Sequence, residues 1–144
     1  MNLDIVKKHE GCKLTAYQCS ANVWTIGYGN TFYEDGSPVK KGDKITQERA
    51  EELLKLIVDQ FAVVMSYLLK QEINANQYSA LMSIAYNIGM RYFAKSTLLK
   101  KVNYNPNDPA IADEFKKWNK AKGVVLPGLV KRREAEAKLY FTKP

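Results

Sequence analysis

The spacing of apolar residues changes along the chain, and each spacing predicts a different kind of element. Leu3, Val6 and Glu10 fall on one face at helical spacing, so we predict a short helix over residues 3–10. Gly11 follows directly and offers a stop for this helix. A carboxylate therefore ends an otherwise apolar helix face, which is unusual for a surface glutamate.

Residues 13–39 follow a different pattern. β-branched and aromatic residues dominate this segment and alternate with glycines, which predicts a small, twisted antiparallel sheet. Asp35-Gly36 is a hairpin signal within it. A sheet of this size cannot form a core alone, so we expect it to pack against helices.

The remainder of the chain has helical spacing. The longest run predicts a helix over residues 47–69, with Thr46 as its N-cap. Asn74 and Gln77 resemble a capping box that opens a further helix, and Gly89 resembles its terminator. The further predicted helices cover residues 75–88, 92–102, 109–120 and 129–141.

Together these elements predict an α+β fold that is mainly helical and forms a single domain over residues 1–144. A small antiparallel sheet lobe, about residues 13–45, is joined by the long helix of about residues 47–69 to a larger helical lobe. That lobe comprises about residues 70–144 and the N-terminal helix. A cleft between two unequal lobes is a natural ligand site.

Charge and composition narrow the possible partners. The chain has 22 Lys and Arg against 15 Asp and Glu, a net charge of +7, which favours nucleic acid, a membrane surface or an acidic polymer. Two Cys and one His supply too few ligands for the usual structural zinc site, so we expect neither a metal nor a cofactor. We interpret His9 as a solvated helix-end residue rather than as a member of a catalytic triad.

Nothing in the sequence predicts export or membrane insertion. The N-terminus lacks the apolar stretch of a secretory signal, and residues 57–69 include Asp59 and fall short of the ~20 residues that span a bilayer. We therefore expect the product to accumulate in the cytoplasm where it is made. There, the thiols of Cys12 and Cys19 would be reduced.

Several motifs in order carry a resemblance to a known family. Glu10, Cys19 and Thr25 form the pattern E-x8-C-x5-T at the junction between the first helix and the sheet. Downstream, residues 76–89 read NQ-x2-AL-x-S-x-AYN-x-G, and residues 118–136 contain W-x2-A-x-G and LPGL-x2-RR-x2-E. These motifs resemble the phage-type lysozymes, or endolysins, such as the T4 and lambdoid phage lysozymes. One motif alone would be weak, but four in register are specific.

The resemblance implies a lysozyme-like fold and a muramidase that hydrolyses the β-1,4 bond between N-acetylmuramic acid and N-acetylglucosamine in peptidoglycan, for host cell lysis. Glu10 matches the family's general acid, and Thr25 matches the threonine that helps to place the attacking water. Cys19 stands where the family has its second carboxylate, an aspartate. The expected substrate-binding residues are Gly29, Tyr86, Asn87 and Thr97.

These roles agree with the chemistry of glycoside cleavage. The reaction needs an acid to protonate the leaving oxygen and a group on the opposite face to steer or activate water. Desolvation keeps a carboxyl group protonated nearer neutral pH, so a glutamate that ends an apolar face suits the acid role. Gly27 and Gly29 would let a sugar approach the backbone.

Cys19 is the main departure from the family pattern. A free thiol has a pKa near ~8.5 and is mostly neutral at pH 7, so Cys19 needs a cationic neighbour or gives weak general-base help. The family precedent favours inversion by direct attack of water, whereas a thiolate could form a covalent intermediate. We expect inversion. Asn30, where many relatives carry histidine, should have little consequence for the chemistry.

The second cysteine raises the possibility of redox regulation. Cys12 and Cys19 are close in sequence and flank a predicted turn, so their Cα atoms could come within bridging distance. A disulfide would consume the catalytic thiol, and some exported relatives resemble such a switch. The alternative interpretation is that Cys12 is a small core residue. For Arg132 and Arg133, we favour solvent exposure over pairing with an acid near the cleft.

Two alternative functions remain open on the sequence. The charge, with aromatics mixed among lysines over residues 92–104, suggests a basic nucleic-acid-binding module. A lytic transglycosylase on the same fold would need a single glutamate and would form an anhydro sugar. For the favoured muramidase we expect peptidoglycan as partner, no nucleic acid, no stable membrane insertion and a monomer. The enzyme would need a holin to pass from the host cytoplasm to the periplasmic wall, where its positive charge would concentrate it.

Overall fold

The computed structural model describes residues 2–19 and 22–144. Its elements, in chain order, are α1 (Asp4–Glu10), β1 (Lys13–Gln18), β2 (Trp24–Gly27), α2 (Gln47–Leu68), α3 (Ala75–Ile88), α4 (Met90–Lys95), α5 (Thr97–Tyr104), α6 (Ile111–Lys116), β3 (Lys120–Ala121), β4 (Val124–Val125) and α7 (Pro127–Tyr140). The fold is α+β and mainly helical, with small antiparallel sheets, as predicted. None of the helices in the described part of the chain has the length and apolar character needed to cross a bilayer.

The chain divides into two compact units. Unit 1 consists of residues 2–6 and Phe61–Pro144, and unit 2 consists of Lys7–Gln60. Helices α1 and α2 each contribute residues to both units. The division into a sheet lobe, a connecting helix and a helical lobe stays a prediction.

The small sheet of unit 2 is built from two strands and a tight turn. Strands β1 and β2 pair antiparallel, and Tyr17 lies opposite Thr25. Beyond β2 the chain reverses at once, because Ile26 and Asn30 exchange both of their backbone hydrogen bonds at 2.9 Å. Gly29 lies inside this turn at φ +84°, a conformation that glycine adopts without steric cost.

A hydrogen-bond network fastens this turn to the helices of unit 2. The hydroxyl of buried Tyr28 donates to Glu51 at 2.9 Å, and the ammonium of Lys7 pairs with the same carboxylate at 2.8 Å. The amide of Gln47 donates to the Tyr28 oxygen at 3.0 Å, and the Cys12 thiol donates to Gln47 at 3.5 Å. The end of α1, the turn after β2 and the start of α2 are therefore linked through polar side chains.

The first helix of the unit 1 core begins as the sequence predicts. The Asn74 side chain accepts from the backbone N–H of Gln77 at 2.8 Å, and the Gln77 side chain accepts from the N–H of Asn74 at 2.9 Å. This capping box opens α3, whose middle is buried and packs against α7. The apolar core of unit 1 includes Leu81, Met82, Ile84, Phe93, Leu98, Val102, Ile111, Phe115 and Tyr140.

The helix predicted over residues 92–102 is wrong, because two helices, α4 and α5, share this region. Ser96 separates them with an extended backbone at ψ 150°. Its hydroxyl oxygen accepts from the N–H of Leu99 at 3.1 Å and so caps α5. A serine competes well for backbone hydrogen bonds, and here it ends one helix and starts the next.

The helix predicted over residues 109–120 is too long. Helix α6 ends at Lys116, and β3 and β4 then form a short antiparallel hairpin. Lys122 and Gly123 both have positive φ at its turn, +50° and +78°, which is the geometry of a two-residue hairpin loop. Strands of two residues carry too little alternation to be recognised from sequence.

The expectation of solvent exposure for Arg132 and Arg133 is wrong as well. Both are buried, together with Glu136, which lies one turn further along α7. The Glu136 carboxylate accepts from Arg133 at 3.1 Å and from Arg132 at 3.3 Å. The hydroxyl of Ser83, on α3, donates to it at 2.6 Å. Buried charges require such pairing, and this cluster joins α3 to α7.

A second buried carboxylate makes a testable contribution to stability. Glu114 is 5% exposed and accepts from Lys117 at 2.8 Å and Lys101 at 3.1 Å. The hydrogen bond from Lys117, supported by Lys101, lowers the pKa of Glu114 against the opposing effect of burial. A lowered pKa stabilises the fold above the unfolded-state value near 4.5, and this stabilisation is lost as the pH falls through the folded-state pKa.

We predict that Glu114→Gln lowers the free energy of unfolding by about 1–2 kcal/mol at pH 7, since charged hydrogen bonds are lost. The difference from wild type should shrink as the pH falls below about 4. Urea unfolding at pH 7 and at pH 3 measures both effects. Asp59→Asn, which breaks the exposed pair with Lys55, is the control and should change little. An equal loss at both pH values would contradict the ionic explanation.

Candidate active site

Glu10 lies at the end of α1 against a residue that has no side chain. The helix face is as predicted, since Val6 is fully buried and Glu10 is half-buried. A Cβ atom placed on Gly29 would lie only 2.9 Å from Glu10 Oε1. Any larger residue at position 29 would therefore clash with the Glu10 carboxylate. The absence of a side chain at Gly29 leaves room for this carboxylate.

Cys19 and Thr25 are held by one backbone carbonyl. The carbonyl oxygen of Val23 accepts from the N–H of Cys19 at 3.0 Å and from the hydroxyl of Thr25 at 2.9 Å. Thr25 is 4% exposed, whereas Cys19 is half-buried just after β1. The pattern E-x8-C-x5-T thus places Cys19 and Thr25 side by side at the end of the hairpin where β1 connects to β2.

Tyr17 lies beside these residues, although it was not among the site residues predicted from the sequence. It lies opposite Thr25 in the sheet and two residues before Cys19. Burial raises the pKa of its phenol, and the nearby acidic groups of Cys19 and Glu10 raise that pKa further. Counting back two residues from Cys19 along an alternating strand would have identified it.

The other predicted substrate residues belong to unit 1. Tyr86 packs near Phe61, with 6.3 Å between the ring centroids. Asn87 lines a groove of about 380 Å³ whose other walls include Tyr92 and Trp118. Thr97 is exposed in the first turn of α5. The structure brings Glu10, Cys19, Thr25 and Gly29 together in unit 2, and the remaining three residues are distributed over unit 1.

A disulfide between Cys12 and Cys19, which the sequence left open as a possibility, is not compatible with this fold. Both cysteines are free, and the whole of β1 lies between them rather than a turn. An extended strand rises about 3.3 Å per residue, so seven residue steps separate their Cα atoms by roughly 20 Å. A disulfide needs a separation below about 7 Å. The bond could form only if β1 were lost.

Two further sequence candidates can be placed. His9 is half-buried at the end of α1, and is therefore less solvated than expected. Asn30 is 2% exposed, and its side-chain amide lies unpaired within the described part of the chain. Over residues 2–19 and 22–144, no cluster of three or more His, Cys, Asp or Glu side chains is suited to hold a metal.

A half-buried glutamate ends a helix in the same unit as a small sheet that carries a paired cysteine and threonine, and this arrangement is compatible with a lysozyme-like glycosidase. Comparison with known proteins agrees. The family model "Phage lysozyme" matches residues 7–136. The chain belongs to the phage lysozyme family, and it is a glycoside hydrolase that acts on peptidoglycan.

Named relatives support this assignment. The chain is 44% identical over 142 residues to the endolysin of Acyrthosiphon pisum secondary endosymbiont phage 1, covering 96% of this chain and 93% of that protein. It is 40% identical over 142 residues to the endolysin of Bacillus phage B103, covering 97% of this chain but 52% of that longer protein. An endolysin structure from Escherichia coli O157:H7 phage FAHEc1 has a TM-score of 0.88 at 39% identity, covering 96% of this chain and 89% of the other.

The contact between Glu10 and position 29 predicts a specific effect of Gly29→Ala. The new Cβ would displace the Glu10 carboxylate, so we expect at least a tenfold loss of lytic activity. Gly36→Ala is a matched control, because Gly36 has the same φ of +84° and no atom within 4 Å of its Cβ position. Both variants should lose about 1–2 kcal/mol of unfolding free energy from the positive φ. Equal activity of the two variants would contradict the role of the contact.

Two tyrosines should report separately on the two cysteines. Burial is the main cause of the raised pKa of Tyr28, followed by the hydrogen bond to Glu51, and the charge of Cys12 raises this pKa further. At Tyr17, burial is again the main cause, and the charge of Cys19 raises the pKa further. We predict that Cys19→Ser lowers the pKa of Tyr17 alone, and that Cys12→Ser lowers the pKa of Tyr28 alone. NMR titration of the tyrosine Cζ signals measures both values. If the pKa of Tyr17 were the same in wild type and in Cys19→Ser, Tyr17 would not belong to the site.

Proposed function

We propose that this enzyme is a muramidase that hydrolyses the β-1,4 bond between N-acetylmuramic acid and N-acetylglucosamine with inversion. The observation that carries the proposal is the position of the Glu10 carboxylate, half-buried over the side-chain-free Gly29. A sugar ring can approach the backbone at that glycine and meet the carboxyl group directly. Membership of the phage lysozyme family supports the same bond.

Glu10 serves as the general acid. Its protonated carboxyl group donates a proton to the glycosidic oxygen while the bond from that oxygen to the anomeric carbon breaks. Residue 29 is exposed and brings no side chain between the carboxyl group and a bound sugar. The proton therefore has a direct route from Glu10 to the leaving group.

Thr25 and Cys19 position and activate the attacking water. The hydroxyl proton of Thr25 is engaged with the Val23 carbonyl, so the hydroxyl oxygen is free to accept a hydrogen bond from water. Water attacks the anomeric carbon, and its proton passes to Cys19, whose thiolate fraction gives weak general-base help. The Val23 carbonyl accepts from the Cys19 backbone and from the Thr25 hydroxyl, which keeps the two residues next to each other.

The remaining parts of the proposal concern substrate and access. Tyr86, Asn87 and Thr97 contact the glycan or its peptide, and Asn87 does so from the wall of its groove. The enzyme acts as a monomer, has no nucleic-acid partner and reaches the periplasmic wall from the host cytoplasm through a holin pore. The resemblance to phage endolysins supports this route.

A lysis assay with four proteins tests the residue roles. We expect Glu10→Gln to lower the clearing rate of chloroform-treated Gram-negative cells by about 10²–10⁴-fold, since the general acid is lost. Cys19→Ser should lower the rate at least tenfold, whereas Cys12→Ser, which changes the other half-buried free cysteine, should stay within about twofold of wild type. Lysis by Glu10→Gln at the wild-type rate would overturn the proposal.

The products identify the reaction. Hydrolysis with inversion gives a new reducing end of the opposite anomeric configuration, which NMR detects at early times. Net retention would replace direct water attack with a covalent intermediate on Cys19. An anhydro sugar in the mass spectrum would identify a lytic transglycosylase instead. Tight, salt-sensitive binding to DNA without lysis would identify a nucleic-acid-binding module.

A further inference from the structure

The net charge of the chain is confined to one of its two units. Residues 7–60 contain eight basic and eight acidic residues, so unit 2 is neutral. The other 14 basic and seven acidic residues lie in residues 1–6 and 61–144, and they account for the whole net charge of +7. The unit that contains Glu10 therefore adds no net charge, and unit 1 carries the whole net positive charge that attracts the chain toward an anionic surface.

Within unit 1, the β3–β4 hairpin combines this charge with exposed apolar side chains. We call Lys120, Lys122, Val124, Val125 and Leu126 the hairpin patch. Its apolar members are 60%, 49% and 40% exposed, in chain order, and every residue from 120 to 128 is exposed. Three consecutive aliphatic side chains in water, beside two lysines, are more than the fold needs from a hairpin of this length.

We propose that the hairpin patch docks unit 1 onto an anionic phospholipid surface. A polyanionic glycan is bound by basic side chains and flat aromatic faces. An anionic bilayer interface is bound by lysines together with adjacent aliphatic side chains. The hairpin patch offers the second combination. This docking is peripheral, and it does not involve Glu10.

The register of the hairpin suits such an interface. Lys120 pairs with Val125, so an ammonium group stands beside an aliphatic side chain on one face. Lys122 occupies the tip, at φ +50°, next to Gly123. Lysine side chains can extend their ammonium groups to the headgroups while the neighbouring aliphatic groups enter the boundary of the acyl chains.

Co-sedimentation with vesicles tests the proposal. The intact protein should pellet with phosphatidylcholine vesicles that contain phosphatidylglycerol at about one lipid in three, and should stay in solution with pure phosphatidylcholine. Lys120→Gln combined with Lys122→Gln should lower the partition coefficient roughly tenfold to thirtyfold, since each lysine near an anionic surface contributes about fivefold. Val124→Ser combined with Val125→Ser should also weaken binding, and unlike the charge loss this effect should persist at high salt.

The matched control is Lys40→Gln combined with Lys41→Gln, which removes the same charge from exposed adjacent lysines of the neutral unit 2. This control should change vesicle binding less than about twofold. Equal losses in the two lysine pairs, or no vesicle binding by the wild type, would overturn the proposal. A third outcome would also overturn the proposal. If Lys120→Gln combined with Lys122→Gln lost binding to purified sacculi but kept its vesicle binding, the hairpin patch would be assigned to the cell wall. Thermal unfolding of each variant verifies that the exposed substitutions leave the fold intact.

Discussion

The contact between the Glu10 carboxylate and the bare backbone of Gly29 is the constraint on which the site of this enzyme depends. A helix must end at residue 10, and a strand must reverse within four residues, for these two groups to meet. The Tyr28–Glu51–Lys7 hydrogen bonds keep both ends in place, since they attach the turn and the helix to the same carboxylate. The position of Glu10 relative to Gly29 therefore rests on a polar network that includes Tyr28, the residue before this glycine.

Much of this arrangement is local and could be predicted from the sequence. The capping box at Asn74 and Gln77 and the extent of α2 follow from patterns within one turn of helix or one face. The spacing of Glu10, Cys19 and Thr25 placed them at one junction because a short helix and a two-stranded sheet leave few alternatives. The family resemblance supplied the roles, which the structure by itself leaves as proposals.

The features that sequence reasoning missed depend on tertiary packing. Glu136 lies one turn along α7 from Arg132 and Arg133, so spacing along that helix could predict their pairing. Their burial depends on α3, whose Ser83 donates to the same carboxylate, and no pattern along one helix predicts that contact. The break between α4 and α5 depends on the single hydroxyl of Ser96, which caps α5 and does not continue α4 as one helix. Tyr17 was overlooked because its partner, Thr25, is a neighbour across the sheet and not along the chain.

The formation of strand β1 also changes which oxidation products Cys12 and Cys19 can form. Before β1 pairs with β2, Cys12 and Cys19 belong to one short flexible loop, where an internal bond between them closes readily. After pairing, the strand holds the sulfur atoms too far apart for that bond, and an oxidant can attack each thiol only singly, through sulfenic acid or a mixed disulfide with a small thiol. A Cys12–Cys19 bridge in isolated material would therefore indicate that oxidation took place while β1 was not formed.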